Sequence, residues 1–153
     1  GVTALAAAAL ADAQPSVERW LGVWLIEAAL AGAIGIGTLW RKIQVRQGPG
    51  LPPAARKFLL SFLPAIVAGA LLTAAAHDRP LLPGLWLLLY GTGIVTAGAF
   101  SVRIVPLMGL CFMALGTVAL LSAARPHADL LLGLGFGGVQ IGFGWIIARR
   151  YGG

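Results

Sequence analysis

Six long blocks of apolar residues, separated by short polar segments, restrict the fold of this chain more than any other feature. The blocks cover residues 2–13, 19–40, 58–76, 81–100, 104–123 and 130–148. Within them the apolar residues follow neither a period of 2 nor one of 3.6, so no face is reserved for water. A helix needs about 20 such residues to cross a bilayer. The pattern predicts an all-α integral membrane bundle of five or six transmembrane helices, arranged as helical hairpins.

The composition excludes a water-soluble fold. Of 153 residues, 59% are hydrophobic and only 10% are charged, whereas an average soluble domain carries about 25% charged residues. So few charges cannot cover the surface of a soluble domain of this size. The length predicts a single domain, residues 1–153. The first block has only about a dozen residues, too few to cross a bilayer, so we expect it to be the outer end of a truncated membrane helix.

The basic residues are concentrated on one side of the predicted bundle. When the blocks alternate across the bilayer, eight Lys and Arg and no acidic residue share the side of loop 41–57. This distribution predicts that the loop and the C-terminus are cytoplasmic, as in a bacterial inner-membrane protein. Because orientation explains the net charge of +6, we expect the lipid bilayer and no nucleic acid as a partner. The eight residues are Arg41, Lys42, Arg46, Arg56, Lys57, Arg103, Arg149 and Arg150.

Glu27 is the one formally charged side chain well inside an apolar block. A carboxylate at that depth is costly and normally faces the bundle interior or water. Tyr90 and Gln140 lie at a similar depth in the fourth and sixth blocks, so the three residues predict an intramembrane polar layer. The layer either responds to protons or ions, or is a structural contact in which a neutral Glu27 is hydrogen-bonded to Gln140 or Tyr90. We favour the structural contact. Trp20 and Trp40 bracket the same block and are expected at headgroup level.

Glycines predict where helices pack closely. In lipid, small residues let two helices approach until dispersion forces hold them together. A four-residue spacing suits a right-handed crossing, and a seven-residue spacing suits a left-handed one. Ala28 and Gly32 in the second block, and Ala31 and Gly35, show the four-residue spacing. The main predicted packing residues are Gly84, Gly91 and Gly98, spaced by seven, and Gly133, Gly137, Gly138 and Gly142, which pair at a spacing of four.

Two motifs that could carry chemistry have simpler structural explanations. Residues 133–138 match the GxGxxG string of a dinucleotide site, but no strand can precede them and no acidic residue follows. Two outer hairpins contain the pairs His77/Asp78 and His127/Asp129. These pairs could hold zinc, but no Cys or Glu completes a ligand set and an Arg flanks each pair. We favour the interpretation that they are polar turn residues that cap helices. We therefore expect no metal, no cofactor and no catalytic residue.

Two questions stay open at the level of the sequence. Residues 69–82 and 118–131 resemble each other, with a fainter copy at 3–20, which indicates either a triplicated hairpin or a shared composition. The leading function is a non-catalytic accessory or scaffold subunit of a membrane complex, in contact with other membrane subunits or with copies of itself. The first alternative is a small transporter or channel that uses Glu27 as its ionisable group. A third hypothesis is an intramembrane enzyme that acts on lipid.

Overall fold

The computed structural model describes residues 1–14, 16–46, 51–75, 79–121 and 128–151. These residues are mostly helical and include no strand, which confirms the predicted all-α fold. A 3₁₀ turn at Arg79–Leu81 precedes the fourth helix, and the last helix contains a π-helical segment at Gly133–Val139. The helices in these ranges are α1 (Val2–Asp12), α2 (Val17–Arg46), α3 (Pro53–Ala75), α4 (Leu82–Gly98), α5 (Ile104–Leu121) and α6 (Ala128–Tyr151).

The helices have the length and surface of a membrane protein. Four of them, α2, α3, α5 and α6, are long and apolar enough to cross a bilayer. α4 has 17 residues, at the lower limit of about 17 to 25 for a span, and α1 has 11. Large apolar side chains lie on the surface, and Ile36, Leu71 and Leu121 are at least 67% exposed. Such a surface suits lipid, so the protein is an integral membrane bundle.

Two helices extend beyond the apolar blocks that predicted them. α2 continues past Trp40 to Arg46 and α3 begins at Pro53, so the segment predicted as loop 41–57 is in large part helical. Arg, Lys and Gln are good helix formers, and cations at a helix C-terminus interact favourably with the helix dipole. Proline fits a first helical turn because its missing N–H would have no partner there. Residues 53–57 of the predicted loop are therefore the first part of α3.

α4 lies at the centre of the bundle, since it packs along both α3 and α5. The α4–α5 contact is the most extensive helix interface. α1 packs against α2 and α6, and α6 also packs against α5. Four helices contribute the largest fully buried side chains, which include Trp20, Leu82, Leu87, Phe112 and Leu132.

Contacts near the helix termini distinguish two ends of the bundle. The rings of Trp20 and Trp86 are stacked with centroids 5.3 Å apart, so the starts of α2 and α4 lie together. We call this the tryptophan end. At the other end, Nζ of Lys57 lies 5.9 Å from the ring centroid of Phe100, just after α4. We call this the basic end, because Arg103, Arg149 and Arg150 also lie at helix termini there.

Candidate functional site

Glu27 is a buried carboxylate between α1 and α2, with 7% of its surface exposed. Its Oε1 accepts a hydrogen bond of 2.9 Å from the hydroxyl of Thr3. The sequence predicted Gln140 or Tyr90 as the partner, and the structure provides Thr3 instead. Thr3 and Glu27 are each twelve residues from Pro15 in the sequence. Because two antiparallel helices place such residues at the same depth, this symmetry could have identified Thr3.

Gln140 and Tyr90 form a second polar pair, between α6 and α4. Nε2 of Gln140 donates a hydrogen bond of 2.7 Å to the hydroxyl of Tyr90. Three phenylalanines surround the Tyr90 ring: the centroid of Phe112 lies 4.8 Å away, that of Phe136 5.0 Å and that of Phe62 5.4 Å. The phenylalanine rings pack around the Tyr90 ring, so this pair is part of a packed contact between α4 and α6.

The three residues predicted as one polar layer thus fall into two separate pairs. Among the described residues, Glu27 is hydrogen-bonded to neither Tyr90 nor Gln140. Every buried side-chain nitrogen and oxygen of the described chain has a hydrogen-bond partner. A polar group left alone in lipid would cost several kcal/mol, about as much as an unpaired backbone group. Both pairs therefore meet a requirement of folding, and whether Glu27 also titrates in a function stays a prediction.

A tryptophan cluster at the tryptophan end was not found by sequence reasoning. Oδ1 of Asp129, in the first turn of α6, accepts hydrogen bonds from the indole N–H groups of Trp20, at 2.6 Å, and Trp24, at 3.2 Å. The stacked Trp86 donates its own indole N–H to the hydroxyl of Thr73 at 2.8 Å. The cluster therefore connects α2, α3, α4 and α6.

Trp20, which was expected at headgroup level, lies inside the bundle and not on its surface, and its depth in the bilayer stays a prediction. Trp20 is fully buried and Trp24 is 4% exposed. An indole ring can be buried when its N–H has a partner, and here Asp129 accepts from both rings. The available signal was the four-residue spacing of the two tryptophans, which places them on the same face of α2.

The seven-residue glycine series of α4 lies against α5. A Cβ added to Gly91 would come within 2.7 Å of the carbonyl oxygen of Gly109, and one added to Gly84 within 3.1 Å of that of Gly116. At Gly98 the nearest atoms belong to the ring of Pro106, 2.8 Å away. Gly109 and Gly116 of α5 are themselves seven residues apart, and sequence reasoning did not identify them. Glycines on both sides let the two backbones meet.

The glycines of α6 divide between a packed and an open face. A Cβ at Gly133 would meet Ala8 of α1 at 2.9 Å, and one at Gly137 would meet Leu5 at 2.5 Å. A Cβ added to Gly138 or Gly142 would have no described atom within 4 Å. Of the four glycines predicted on α6, two therefore lie in a helix contact and two line an open face.

The described part of the chain contains no metal-binding cluster and no nucleotide-binding fold. No group of three or more His, Cys, Asp or Glu is close enough there to hold a metal ion. His77, Asp78 and His127 lie outside the described residues, so the zinc hypothesis stays untested. The GxGxxG string lies within the π-helical segment of α6, where no strand precedes it. The chain matches none of the known protein families, curated proteins or solved structures with which it was compared.

Proposed function

We propose that this protein is an accessory or scaffold subunit that binds another membrane helix through the outer face of α2. The observation that carries the proposal is the long part of α2 that no other described helix covers. From Ala28 to Arg41 every residue except Leu39 is exposed. Gly32, Gly35 and Gly37 have no described atom within 4 Å of an added Cβ.

The residues on this part of α2 have the character of a helix interface. Ala28 and Gly32, and likewise Ala31 and Gly35, are spaced four residues apart. Within the chain, α4 and α5 show how such small residues are used, because their glycines bring two backbones into contact. In lipid there is little hydrophobic force between helices, so close dispersion contacts at small residues supply much of the association energy. The same surface on α2 is available to a helix of another subunit.

The polar residues of the bundle support a structural rather than a transporting role. Tyr90, whose ring packs against phenylalanines, accepts a hydrogen bond from Gln140, and Glu27 accepts one from Thr3. These pairs hold α1 to α2 and α4 to α6. The alternative function, a small transporter or channel, is favoured by one observation, the burial of the Glu27 carboxylate in a membrane-spanning helix.

The accessory role is tested by extracting the protein from its native membranes in a mild detergent and separating complexes by native electrophoresis. We expect a discrete complex that contains a second membrane protein. The double variant Gly32→Leu/Gly35→Leu should release it, because the added side chains would hold the partner helix away. Gly144→Leu is the matched control, since Gly144 is also open but lies on α6.

The proposal fails if the wild-type protein migrates alone, or if the Gly144→Leu control releases the partner as completely as the α2 variant. If the complex contains only copies of this chain, then the outer face of α2 mediates self-association and does not bind a different subunit. Unchanged thermal melts of the isolated variants would show that the loss of the complex is not a loss of folding.

We also propose that the basic end is cytoplasmic and that the protein lies in a bacterial inner membrane. The supporting feature is the excess of Lys and Arg at that end. In a Cys111→Ala background, Ser101→Cys at the basic end should react with an impermeant thiol reagent only from the cytoplasmic side. Ala13→Cys at the tryptophan end should react only from outside. Reaction of both cysteines from one side would contradict the alternation of helices.

A further inference from the structure

The hydrogen-bond pattern of α6 changes in the middle of the helix. Gly133–Val139 is π-helical, and α-helical turns lie on both sides of it. The backbone N–H of Gln140 donates to the carbonyl oxygen of Gly135, five residues back, where an α-helix would use that of Phe136. The π-helical segment therefore holds one residue more than α-helical turns would, and this residue rotates everything after it by about 100°. The segment determines which residues of the second half of α6 face the bundle.

The two halves of α6 are held to the bundle differently. In the first half, Leu132 is fully buried and Asp129 accepts hydrogen bonds from two indole groups of α2. In the second half, Gln140–Tyr151, no residue is buried. Gln140 connects this half to α4 by its hydrogen bond to Tyr90. Because regions with few buried contacts open at the lowest free-energy cost, the second half is the part of α6 that can move.

A rotation by one residue would still present apolar side chains to the bundle. If the π-helical segment became α-helical, each later residue would take the angular position that the next residue occupies now. Val139 would then replace Gln140 beside Tyr90. Ile146 would replace Ile147, which packs against the core. Val139 and Ile146 now line an open apolar groove beside α5, so the rotation would move them from the surface toward the core.

Two side-chain contacts favour the described register. The Gln140–Tyr90 hydrogen bond would be lost in the α-helical register, because valine has no side-chain donor. Phe143 packs against the core, and Gly142 would take its place. Both contacts lie directly after the π-helical segment, so they decide which register of the second half is populated.

We propose that the π-helical segment is a hinge, at which Gln140–Tyr151 rotates by one residue between the described register and a continuous α-helix. The hydrogen bond from Gln140 to Tyr90 holds the described register. Since Arg149 and Arg150 belong to the rotating half, the hinge changes the position of these cations at the basic end. The inference does not depend on the partner helix proposed for α2.

The test is the distance between two nitroxide labels, measured by pulsed electron spin resonance on the full chain in detergent. In a Cys111→Ala background, Ala148→Cys is labelled together with Ser101→Cys or, in a second sample, with Leu60→Cys. A surface side chain about 5 Å from the helix axis moves by about 8 Å when the helix turns by about 100°. The two reference sites lie in different parts of the bundle, so the rotation changes at least one of the distances.

The wild type should give a main distance and a minor, displaced one. Gln140→Leu should raise the minor population about threefold, the factor that an average hydrogen bond between membrane helices contributes. Deletion of Gly138 removes the extra residue and leaves Asp129 and Gln140 at their present angles, so it should abolish the minor distance and keep the main one. Gly138 is the residue to delete because no described atom lies within 4 Å of an added Cβ there.

The matched control is Glu27→Leu, which breaks a hydrogen bond between α1 and α2 and should leave both populations as in the wild type. An equal rise in Glu27→Leu and Gln140→Leu would overturn the hinge in favour of a general loosening of the bundle. A distance distribution that Gln140→Leu leaves unchanged would also overturn it, as would a minor distance that persists when Gly138 is deleted.

Thermal melts in detergent show which variants fold before they are labelled. If Gln140→Leu does not fold, Tyr90→Phe removes the same hydrogen bond and should give the same rise. If the Gly138 deletion does not fold, the comparison of Gln140→Leu with Glu27→Leu decides. A wild type with a single distance supports the hinge when Gln140→Leu adds the displaced one, and overturns it when neither protein shows a second distance.

Discussion

Both α4 and α2 contain regularly spaced glycines, but those of α4 are packed against another helix and those of α2 are open. On α4, an added Cβ at Gly91 would lie 2.7 Å from a backbone oxygen of α5. On α2, Gly32 and Gly35 have no described atom within 4 Å of an added Cβ. The difference is that the helix after α4 carries its own glycines, Gly109 and Gly116, in register with those of α4. In this chain, the glycines of α4 are packed because complementary glycines of α5 lie opposite them.

The largest effect is expected at the α4–α5 contact. Gly91→Leu should destabilise the bundle by about 3 kcal/mol, because the new side chain would meet the backbone of α5, which cannot move aside as a side chain can. Gly32→Leu should leave the stability of the isolated protein nearly unchanged. The measurement is the thermal unfolding midpoint in detergent.

The same two variants can also contradict the difference drawn between the glycines of α4 and those of α2. If Gly32→Leu lowers the midpoint as much as Gly91→Leu, then α2 packs within the isolated protein and is not open to a partner. If neither variant has an effect, the glycines of α4 do not determine the stability of the bundle. Gly91→Ala adds a smaller side chain and should give an intermediate loss.

A second prediction concerns the part of α2 that is packed, at the tryptophan end. Asp129→Ala should cost about 2 kcal/mol, because it removes the carboxylate oxygen that accepts hydrogen bonds from the buried indole groups of Trp20 and Trp24. Asp129→Asn keeps an acceptor oxygen and should cost less than half as much. Near-ultraviolet circular dichroism should report the altered tryptophan packing. Equal melts for Ala and Asn would show that the hydrogen bonds do not hold α2 in place.

The fold class could be predicted because the length of each apolar block, and its preference for lipid over water, follow from a local stretch of sequence. The rotation of each helix about its own axis could not be predicted in the same way. Helices that are apolar all round do not indicate which face points inward, so the sequence did not show that Trp20 is buried. The glycines of α4 were the exception, since a seven-residue period marks one face.

The polar contacts were harder to predict than the packing. Gln140 and Tyr90 were grouped by depth and are hydrogen-bonded to each other. Glu27 was assigned to the same group, yet its partner is Thr3 on the neighbouring helix in the chain. Depth alone does not distinguish two partners at the same level, and the choice depends on which helices are adjacent. Asp129 was considered as a metal ligand or as a polar turn residue that caps a helix, yet it accepts hydrogen bonds from two indole groups of α2.

A third prediction tests Glu27, which lies where the packed part of α2 meets the open part. Glu27→Leu should cost about 1 kcal/mol, because Thr3 loses its hydrogen-bond partner. Glu27→Gln retains an acceptor oxygen and should melt like the wild type. If the protein is a scaffold, Glu27→Gln should also assemble normally. If it carries protons or ions, this variant should fold and assemble yet lose all flux in proteoliposomes, because it removes titration and keeps shape.

The smallest effect is expected for the Gln140–Tyr90 pair, and a double-mutant cycle is needed to detect it. Gln140→Leu leaves the Tyr90 hydroxyl without its donor, and Tyr90→Phe leaves the Gln140 amide without its acceptor, so each single variant should be destabilised. The double variant replaces both polar groups with apolar ones inside the phenylalanine cluster, so its loss should be smaller than the sum of the single losses. Hydrogen bonds between membrane helices average about 0.6 kcal/mol in such cycles, and we expect a coupling energy of that size. Strict additivity of the two losses would mean that the aromatic packing, and not the hydrogen bond, holds α6 against α4. The same cycle on Glu27 and Thr3 then compares a pair beside the phenylalanine rings with a pair at the edge of the open part of α2.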